Sequence, residues 1–163
     1  MSATTTDRNT PKKATDDLVV LVAAATKIPA GVLVARNAAG TATNAADATG
    51  LRVLGRAAAH ADNSAGAAGD IEVAIEQGNF LFENDETNPV TVAHVGELCF
   101  VKDNQTVQIA SGTYSVVAGL VTAVTSAGVW VDTRLTRSAT TEVAGLSVTV
   151  LNTAVTPDGV AVV

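Results

Sequence analysis

Short runs of β-branched and other apolar residues follow one another from residue 18 to residue 133. Glycine, asparagine, aspartate and proline separate the runs, and this punctuation is typical of strands joined by tight turns. The sequence therefore predicts a mainly β fold, a compact barrel or sandwich-like domain of short antiparallel strands. The predicted strands cover residues 18–23, 31–36, 51–57, 71–76, 79–83, 97–102, 106–110, 116–124 and 129–133.

Alternation of apolar and polar residues is clearest at Ile71, Val73 and Ile75, which are separated by Glu72 and Ala74. Successive side chains of a strand point to opposite faces, so the three apolar residues share one face. The pattern predicts a strand with one buried face.

Two hairpins are predicted in the second half of the chain. The first spans residues 99–107, where Asp103 and Asn104 suit the backbone angles of a tight turn. The second spans residues 121–131, where Gly128 permits a conformation that other residues avoid.

The composition divides the chain into three parts. Residues 1–16 are polar and predict a flexible N-terminal arm, either a frayed terminus or a segment that becomes ordered on a partner. Residues 17–137 predict the β-rich domain; within it, residues 38–50 and 57–69 lack a helical apolar stripe and are predicted to be loops. Residues 138–163 predict a C-terminal β extension that packs on the same domain or on a neighbouring subunit.

The core must be built from small aliphatic side chains, because 47% of the residues are hydrophobic but only 3% are aromatic. So few aromatic anchors disfavour a deep ligand pocket. Phe80 and Phe82 share one strand face, while Trp130 lies on the face opposite its two valine neighbours. Phe80, Phe82, Phe100 and Trp130 are our candidates for the core or for a subunit interface.

The formal net charge of −6 argues against a nucleic-acid partner, because phosphate contacts need clustered lysine and arginine. The polar N-terminus lacks the apolar stretch of a secretory signal, and no apolar run approaches the roughly 20 residues of a membrane-spanning helix. We therefore expect neither a nucleic-acid nor a membrane partner.

The residues that could carry chemistry are scattered. Cys99 is the only cysteine, and we expect it to be a small buried hydrophobic residue rather than a nucleophile. His60 and His94 lack a second ligand at metal-binding spacing, and we interpret them as ordinary polar surface residues. The carboxylates within residues 83–86 could border a substrate or a calcium ion, but solvated turn charge is favoured. We predict no catalytic residue, no cofactor and no metal, and hence no enzyme.

Six segments along the chain together resemble one known family, the decoration or cement proteins of tailed-bacteriophage heads. They are residues 27–34 (KIPAGVLV), 53–57 (VLGRA), 69–80 (GDIEVAIEQGNF), 95–107 (VGELCFVKDNQTV), 118–124 (AGLVTAV) and 128–132 (GVWVD).

The resemblance implies a β-rich homotrimer that binds the major capsid protein on the outer surface of the expanded head and stabilises the shell. It also implies synthesis in the bacterial host cytoplasm and a final location in the virion, and it transfers no active-site residue. By analogy with arms that become ordered on a capsid, residues 1–16 are expected to dock on the shell. The candidate capsid contacts are Thr4, Thr5, Thr6, Arg8, Lys12 and Lys13.

Two other functions fit the same sequence. A head-fibre, neck or tail protein would share the β-richness and the acidity, but it would occur in few copies per virion. A carbohydrate-binding module would use Trp130 and Tyr114 as stacking surfaces, and glycans would then quench the tryptophan fluorescence.

Overall fold

The computed structural model describes residues 17–134, which form twelve strands and one short 3₁₀ turn, so the mainly β prediction is confirmed. The 3₁₀ turn spans Val92–His94 and lies between β8 and β9. The strands are β1 (Asp17–Leu21), β2 (Thr26–Ile28), β3 (Leu33–Arg36), β4 (Ala42–Asn44), β5 (Arg52–Ala57), β6 (Ala61–Asn63), β7 (Glu72–Glu76), β8 (Asn79–Asn84), β9 (Leu98–Val101), β10 (Thr106–Gln108), β11 (Val117–Thr125) and β12 (Gly128–Asp132).

Each predicted strand coincides with an observed one, but the loop prediction was wrong for two short segments. Residues 38–50 contain β4, and residues 57–69 contain β6. Three residues are too few to show a period of two, and these segments become strands because β3 and β2 lie beside them. The pairing of β4 with β3 and of β6 with β2 is therefore decided by the tertiary structure and not by the local sequence.

The first structural unit is a five-stranded antiparallel sheet with the order β1-β7-β5-β3-β4. Just after β1, Val22 forms a parallel bridge with Ala42 of β4. The next residue, Ala23, donates its backbone N–H to the Ala42 carbonyl at 2.9 Å. The two ends of the sheet therefore meet at one point, and we call this unit the rolled sheet.

The core of the rolled sheet is aliphatic. Val34, Val73 and Ile75 lie at its centre, and the β2–β6 ribbon covers it with Ile28 and Ala61. Val73 and Ile75 are buried while Glu72 is exposed, which confirms the alternation predicted for β7.

The second unit is a closed barrel with the strand order β10-β8-β12-β11-β9. Four of its neighbouring pairs are antiparallel, but β10 pairs with β8 in parallel. The expectation of antiparallel strands throughout was therefore wrong at this one pair. Strand β9 and the segment before it supply the long connection that a parallel pair requires.

Both predicted hairpins are confirmed. Strands β9 and β10 pair around the turn that contains Asp103, whose carboxylate accepts the backbone N–H groups of Gln105 and Thr106. Strands β11 and β12 pair up to Gly128, which has a φ of 138°. A side chain at Gly128 would collide with the Phe82 carbonyl on β8, so this position requires glycine.

Strand β3 joins the two units because both of its faces are buried. Leu33 and Ala35 belong to the barrel core, which also contains Phe82 and Val131, whereas Val34 belongs to the core of the rolled sheet. The Leu33 N–H also donates to a carbonyl in the β9–β10 turn at 2.7 Å. The rolled sheet and the barrel thus pack against each other through β3, and β5 also contributes to both cores, with Val53 in the barrel core and Ala57 in the core of the rolled sheet.

Candidate functional site

The four aromatic candidates occupy different environments. Phe82 lies in the barrel core, and Phe80 is half-buried against that core. Phe100 is half-buried on β9. Trp130 is 37% exposed, so it is not a core residue of this chain, and its role at a subunit interface stays a prediction.

The exposure of Trp130 follows from the pleat of β12. Val129 and Val131 point into the barrel and are fully buried, so Trp130, which the alternation places on the opposite face of the strand, points outward. Directly across the ladder lies Leu81 of β8, which is 40% exposed. We call Leu81 and Trp130 the wall pair, since they are cross-strand neighbours exposed on the outer barrel wall.

Polar groups surround the wall pair. The Thr122 hydroxyl lies 2.8 Å from the Asn79 side-chain oxygen and 3.2 Å from the Trp130 carbonyl. Two residues beyond Trp130, Asp132 accepts two hydrogen bonds from the Arg134 guanidinium, which lower the pKa of the Asp132 carboxyl. The wall pair therefore has a polar border in which Asp132 is paired with Arg134, while Glu83, on the same face of β8 as Leu81, is exposed.

A second apolar surface lies on the rolled sheet. On β1, Leu18 and Val20 pack toward the core, whereas Val19 and Leu21 are 53% and 47% exposed. Across the ladder from Val19 lies the exposed residue Ala74 of β7. We call Val19, Leu21 and Ala74 the β1 face.

Strand β1 is also an edge strand. Its inner edge pairs with β7, and within residues 17–134 no strand pairs with its outer edge from Asp17 to Leu21. The outer edge therefore presents backbone hydrogen-bonding groups beside exposed apolar side chains, a combination that favours contact with another chain.

The β1 face ends at an ion pair. Arg56 of β5 lies opposite Glu76 of β7 and is paired with its carboxylate. The Arg56 guanidinium also covers the Phe80 ring, with 4.7 Å between Cζ and the ring centroid. This cation–π contact separates the β1 face from the barrel.

The capsid-contact candidates Thr4, Thr5, Thr6, Arg8, Lys12 and Lys13 lie outside the described residues, as does the predicted extension at residues 138–163. The described chain begins at Asp17, which lies opposite Glu76 in the ladder. Near its other end, Thr133 donates its backbone N–H to the Gly78 carbonyl at 2.8 Å. Both ends of the described chain thus lie beside residues 76–78.

Cys99 is buried in the barrel, as the sequence predicted. Its thiol lies 3.6 Å from the Gly119 carbonyl, and burial raises the pKa of the thiol to about 12. At neutral pH Cys99 is therefore a neutral thiol within an apolar core.

The two histidines are separated by the fold. His60 is exposed in the turn after β5, whereas His94 closes the 3₁₀ turn by accepting the Thr91 backbone N–H on Nδ1 at 2.9 Å. His60 is therefore a surface residue, and His94 is half-buried with a structural hydrogen bond.

Among the carboxylates at residues 83–86, Asp85 has a structural partner. It accepts the Asn88 backbone N–H at 2.8 Å, and its other oxygen lies 4.0 Å from Lys102 Nζ. Within residues 17–134, no three histidine, cysteine, aspartate or glutamate side chains are grouped so that they could hold a metal ion.

No family model matches the sequence, and no match to the chain was found among curated proteins or solved structures. Within the described part of the chain, no helix has the length and apolar character needed to cross a membrane. The strongest functional candidates in the described residues are therefore two surfaces, the wall pair and the β1 face.

Proposed function

We propose that this protein decorates the outer surface of an expanded tailed-phage head, where it binds the major capsid protein and stabilises the shell. The observation that carries the proposal is the folding of the segments on which the family resemblance rests. Residues 95–107 contain the β9–β10 hairpin, and residues 118–132 contain the β11–β12 hairpin. These two hairpins are adjacent in one closed barrel, so the resembling residues in the second half of the chain form a contiguous structural unit. The resembling residues 53–57 lie on β5 of the rolled sheet, and residues 27–34 contribute to β2 and β3.

The surface chemistry supports a role in assembly. The chain presents exposed apolar side chains on strands β1, β8, β9 and β12, and it carries a net charge of −6 that favours solubility before assembly. A protein repeated over a shell gains strength from many simultaneous weak contacts, so each copy needs only a modest binding surface.

We also propose that the protein assembles as a homotrimer through the wall pair. Tryptophan is enriched among the residues that dominate protein–protein binding energy, and Trp130 with Leu81 offers a rigid apolar contact. The matched charges of Asp132 and Arg134 nearby allow two copies to approach without repulsion at that position.

The decisive experiment is co-sedimentation of the purified full chain with undecorated expanded heads, counting bound copies per shell subunit. We expect saturable binding at a fixed ratio close to the abundance of the shell protein. Absence of binding to intact expanded heads would overturn the proposal, and a few copies per virion would indicate a neck, tail or head-fibre protein.

The trimer is tested by sedimentation equilibrium of Trp130→Ala, with Tyr114→Ala as the control because Tyr114 is an exposed aromatic residue outside β8 and β12, in the segment between β10 and β11. We expect Trp130→Ala to weaken association at least about tenfold and Tyr114→Ala to leave it unchanged. An unchanged oligomer in Trp130→Ala would exclude the wall pair from the interface.

A glycan-binding module is the second candidate function, and the polar border of Trp130 favours it. A sugar stacked on the indole would lie near the Asn79 and Thr122 side chains, which are hydrogen-bonded to each other. A glycan panel that quenches the fluorescence of Trp130 in the wild type would support this function.

A further inference from the structure

We propose that the β1 face is the surface of this protein that lies against the shell, and that it fits a partner surface with an apolar centre and a basic border. This inference rests on the proposed function and specifies which side of the molecule the capsid protein contacts.

Strand β1 exposes apolar side chains beside its open edge. Val19 and Leu21 are about half exposed, and the pairing of β1 with β7 is regular over all five residues. Edge strands of stable monomers are usually blunted by lysine, proline or a bulge. From Leu18 to Leu21 the strand has none of these, so the face is suited to burial by a partner.

Sixteen residues precede the described part of the chain, and they join it at the start of β1. Residues 1–16 lead directly into β1 at Asp17, so the proposed arm and the β1 face belong to one continuous segment. Lys13 is four residues from Asp17 and can lie at most about 13–14 Å away. A shell contact made by Lys13 would therefore keep the β1 face near the same shell surface.

The end of the β1 face near Leu21 carries negative charge. Glu72 lies opposite Leu21 and is exposed, and Asp70 is exposed in the segment just before β7. At the other end of the face, Glu76 is neutralised by Arg56. Within residues 17–134, Glu72 forms no ion pair, so the border of the face near Leu21 is acidic and complements lysine or arginine on a partner.

The wall pair also has an acidic neighbour. Glu83 is exposed on the same face of β8 as Leu81, and within residues 17–134 it forms no ion pair, whereas Asp132 on β12 is bound by Arg134. Charge therefore does not separate the two surfaces, and it is the open edge of β1 and its continuity with residues 1–16 that favour the β1 face.

The test compares full-length variants in the head co-sedimentation assay. We expect Leu21→Glu to weaken binding to expanded heads at least about tenfold, because it places a charge in the apolar centre. Val92→Glu is the matched control, since Val92 is 73% exposed on the 3₁₀ turn; we expect its binding to stay within about twofold of the wild type. Leu21→Thr, which keeps a β-forming residue, is the second variant if Leu21→Glu disturbs the far-UV circular dichroism.

The outcomes separate this inference from the proposed function. If the wild type fails to bind heads, the proposed function is lost. If the wild type binds and a correctly folded Leu21→Glu or Leu21→Thr variant binds equally well, the β1 face is not the docking surface. If a change in the oligomeric state of the Leu21 variant accounts for the whole loss of head binding, the β1 face contacts a second copy of this chain instead of the shell. This result would also overturn the inference.

Charge is tested separately with Glu72→Gln. We expect this variant to bind heads more weakly than the wild type at low salt and to reduce the salt dependence of binding. Tighter binding by Glu72→Gln would contradict a basic border on the partner.

Discussion

The rolled sheet and the barrel solve the same problem of exposed strand edges in different ways. The barrel closes completely, because β8 and β10 pair in parallel and leave no free edge among its five strands. The rolled sheet closes only at the Val22–Ala42 bridge, and the outer edge of β1 stays open within the described residues. A fully closed barrel has no free edge with which another strand could pair. The open edge of β1 is therefore a feature of the rolled sheet and not of the barrel.

Their cores also differ. The barrel core holds Phe82 and Cys99 among valines, whereas the rolled sheet is packed with valine, isoleucine and alanine. Strand β3 contributes Leu33 to one core and Val34 to the other. Because the two cores share a strand, we expect the two units to unfold together rather than as independent domains.

The largest expected effect comes from truncating one side chain in each core. Phe82→Ala should reduce the free energy of unfolding by about 3–5 kcal/mol, and Ile75→Ala by about 2–5 kcal/mol. Urea unfolding followed by circular dichroism gives both values. Labelling of the buried Cys99 thiol reports barrel opening in the same samples, because the thiol becomes accessible only when the barrel opens.

Leu81→Ala serves as the control, since Leu81 lies next to Phe82 on β8 but points outward. We expect it to cost less than about 1.5 kcal/mol. In Ile75→Ala, circular dichroism could report a loss of strands while the labelling of Cys99 stays slow. This result would show that the two units unfold separately.

A smaller effect is expected at the end of the β11–β12 hairpin. Gly128→Ala places a methyl group against the Phe82 carbonyl at a φ of 138°, and we expect it to lower the free energy of unfolding by more than about 2 kcal/mol. Gly40→Ala is the matched control, because Gly40 also has a positive φ, 87°, but faces open space. Equal losses in the two variants would mean that the barrel tolerates the extra methyl group.

The smallest effect concerns the β2–β6 ribbon that covers the rolled sheet. A hydrogen bond from the Ser64 hydroxyl, with further contributions from the Ser64 backbone N–H and Lys27, lowers the pKa of Asp62 from 3.8 to about 2. A lowered pKa means that the ionised carboxylate stabilises the fold above about pH 4 and that this contribution disappears as the pH falls toward 2.

Ser64→Ala and Asp62→Asn should each reduce the pH dependence of the melting temperature between about pH 4 and 2. The exposure of the Asp62 and Lys27 side chains to solvent keeps the effect small. An unchanged pH profile in both variants would contradict the role of this hydrogen bond.

The periodicity of the sequence was sufficient to predict β7, the two hairpins and the placement of Trp130 on the strand face opposite Val129 and Val131. These features depend on neighbours close along the chain, where alternation and turn residues act directly. The resemblance predicts a function, and that function stays a prediction until binding to heads is measured.

The sequence by itself determined the mainly β class, the positions of nine of the twelve described strands and the burial of Cys99, because each follows from local alternation, turn residues and the hydrophobicity of the side chain. Only the tertiary structure decided that β2, β4 and β6 are strands, that β8 and β10 pair in parallel and that Val22 meets Ala42. It also decided that Val19 and Leu21 are exposed while Leu18 and Val20 are buried. A run of four apolar residues gives no sign of which face is covered, since that depends on strands contributed from distant parts of the chain.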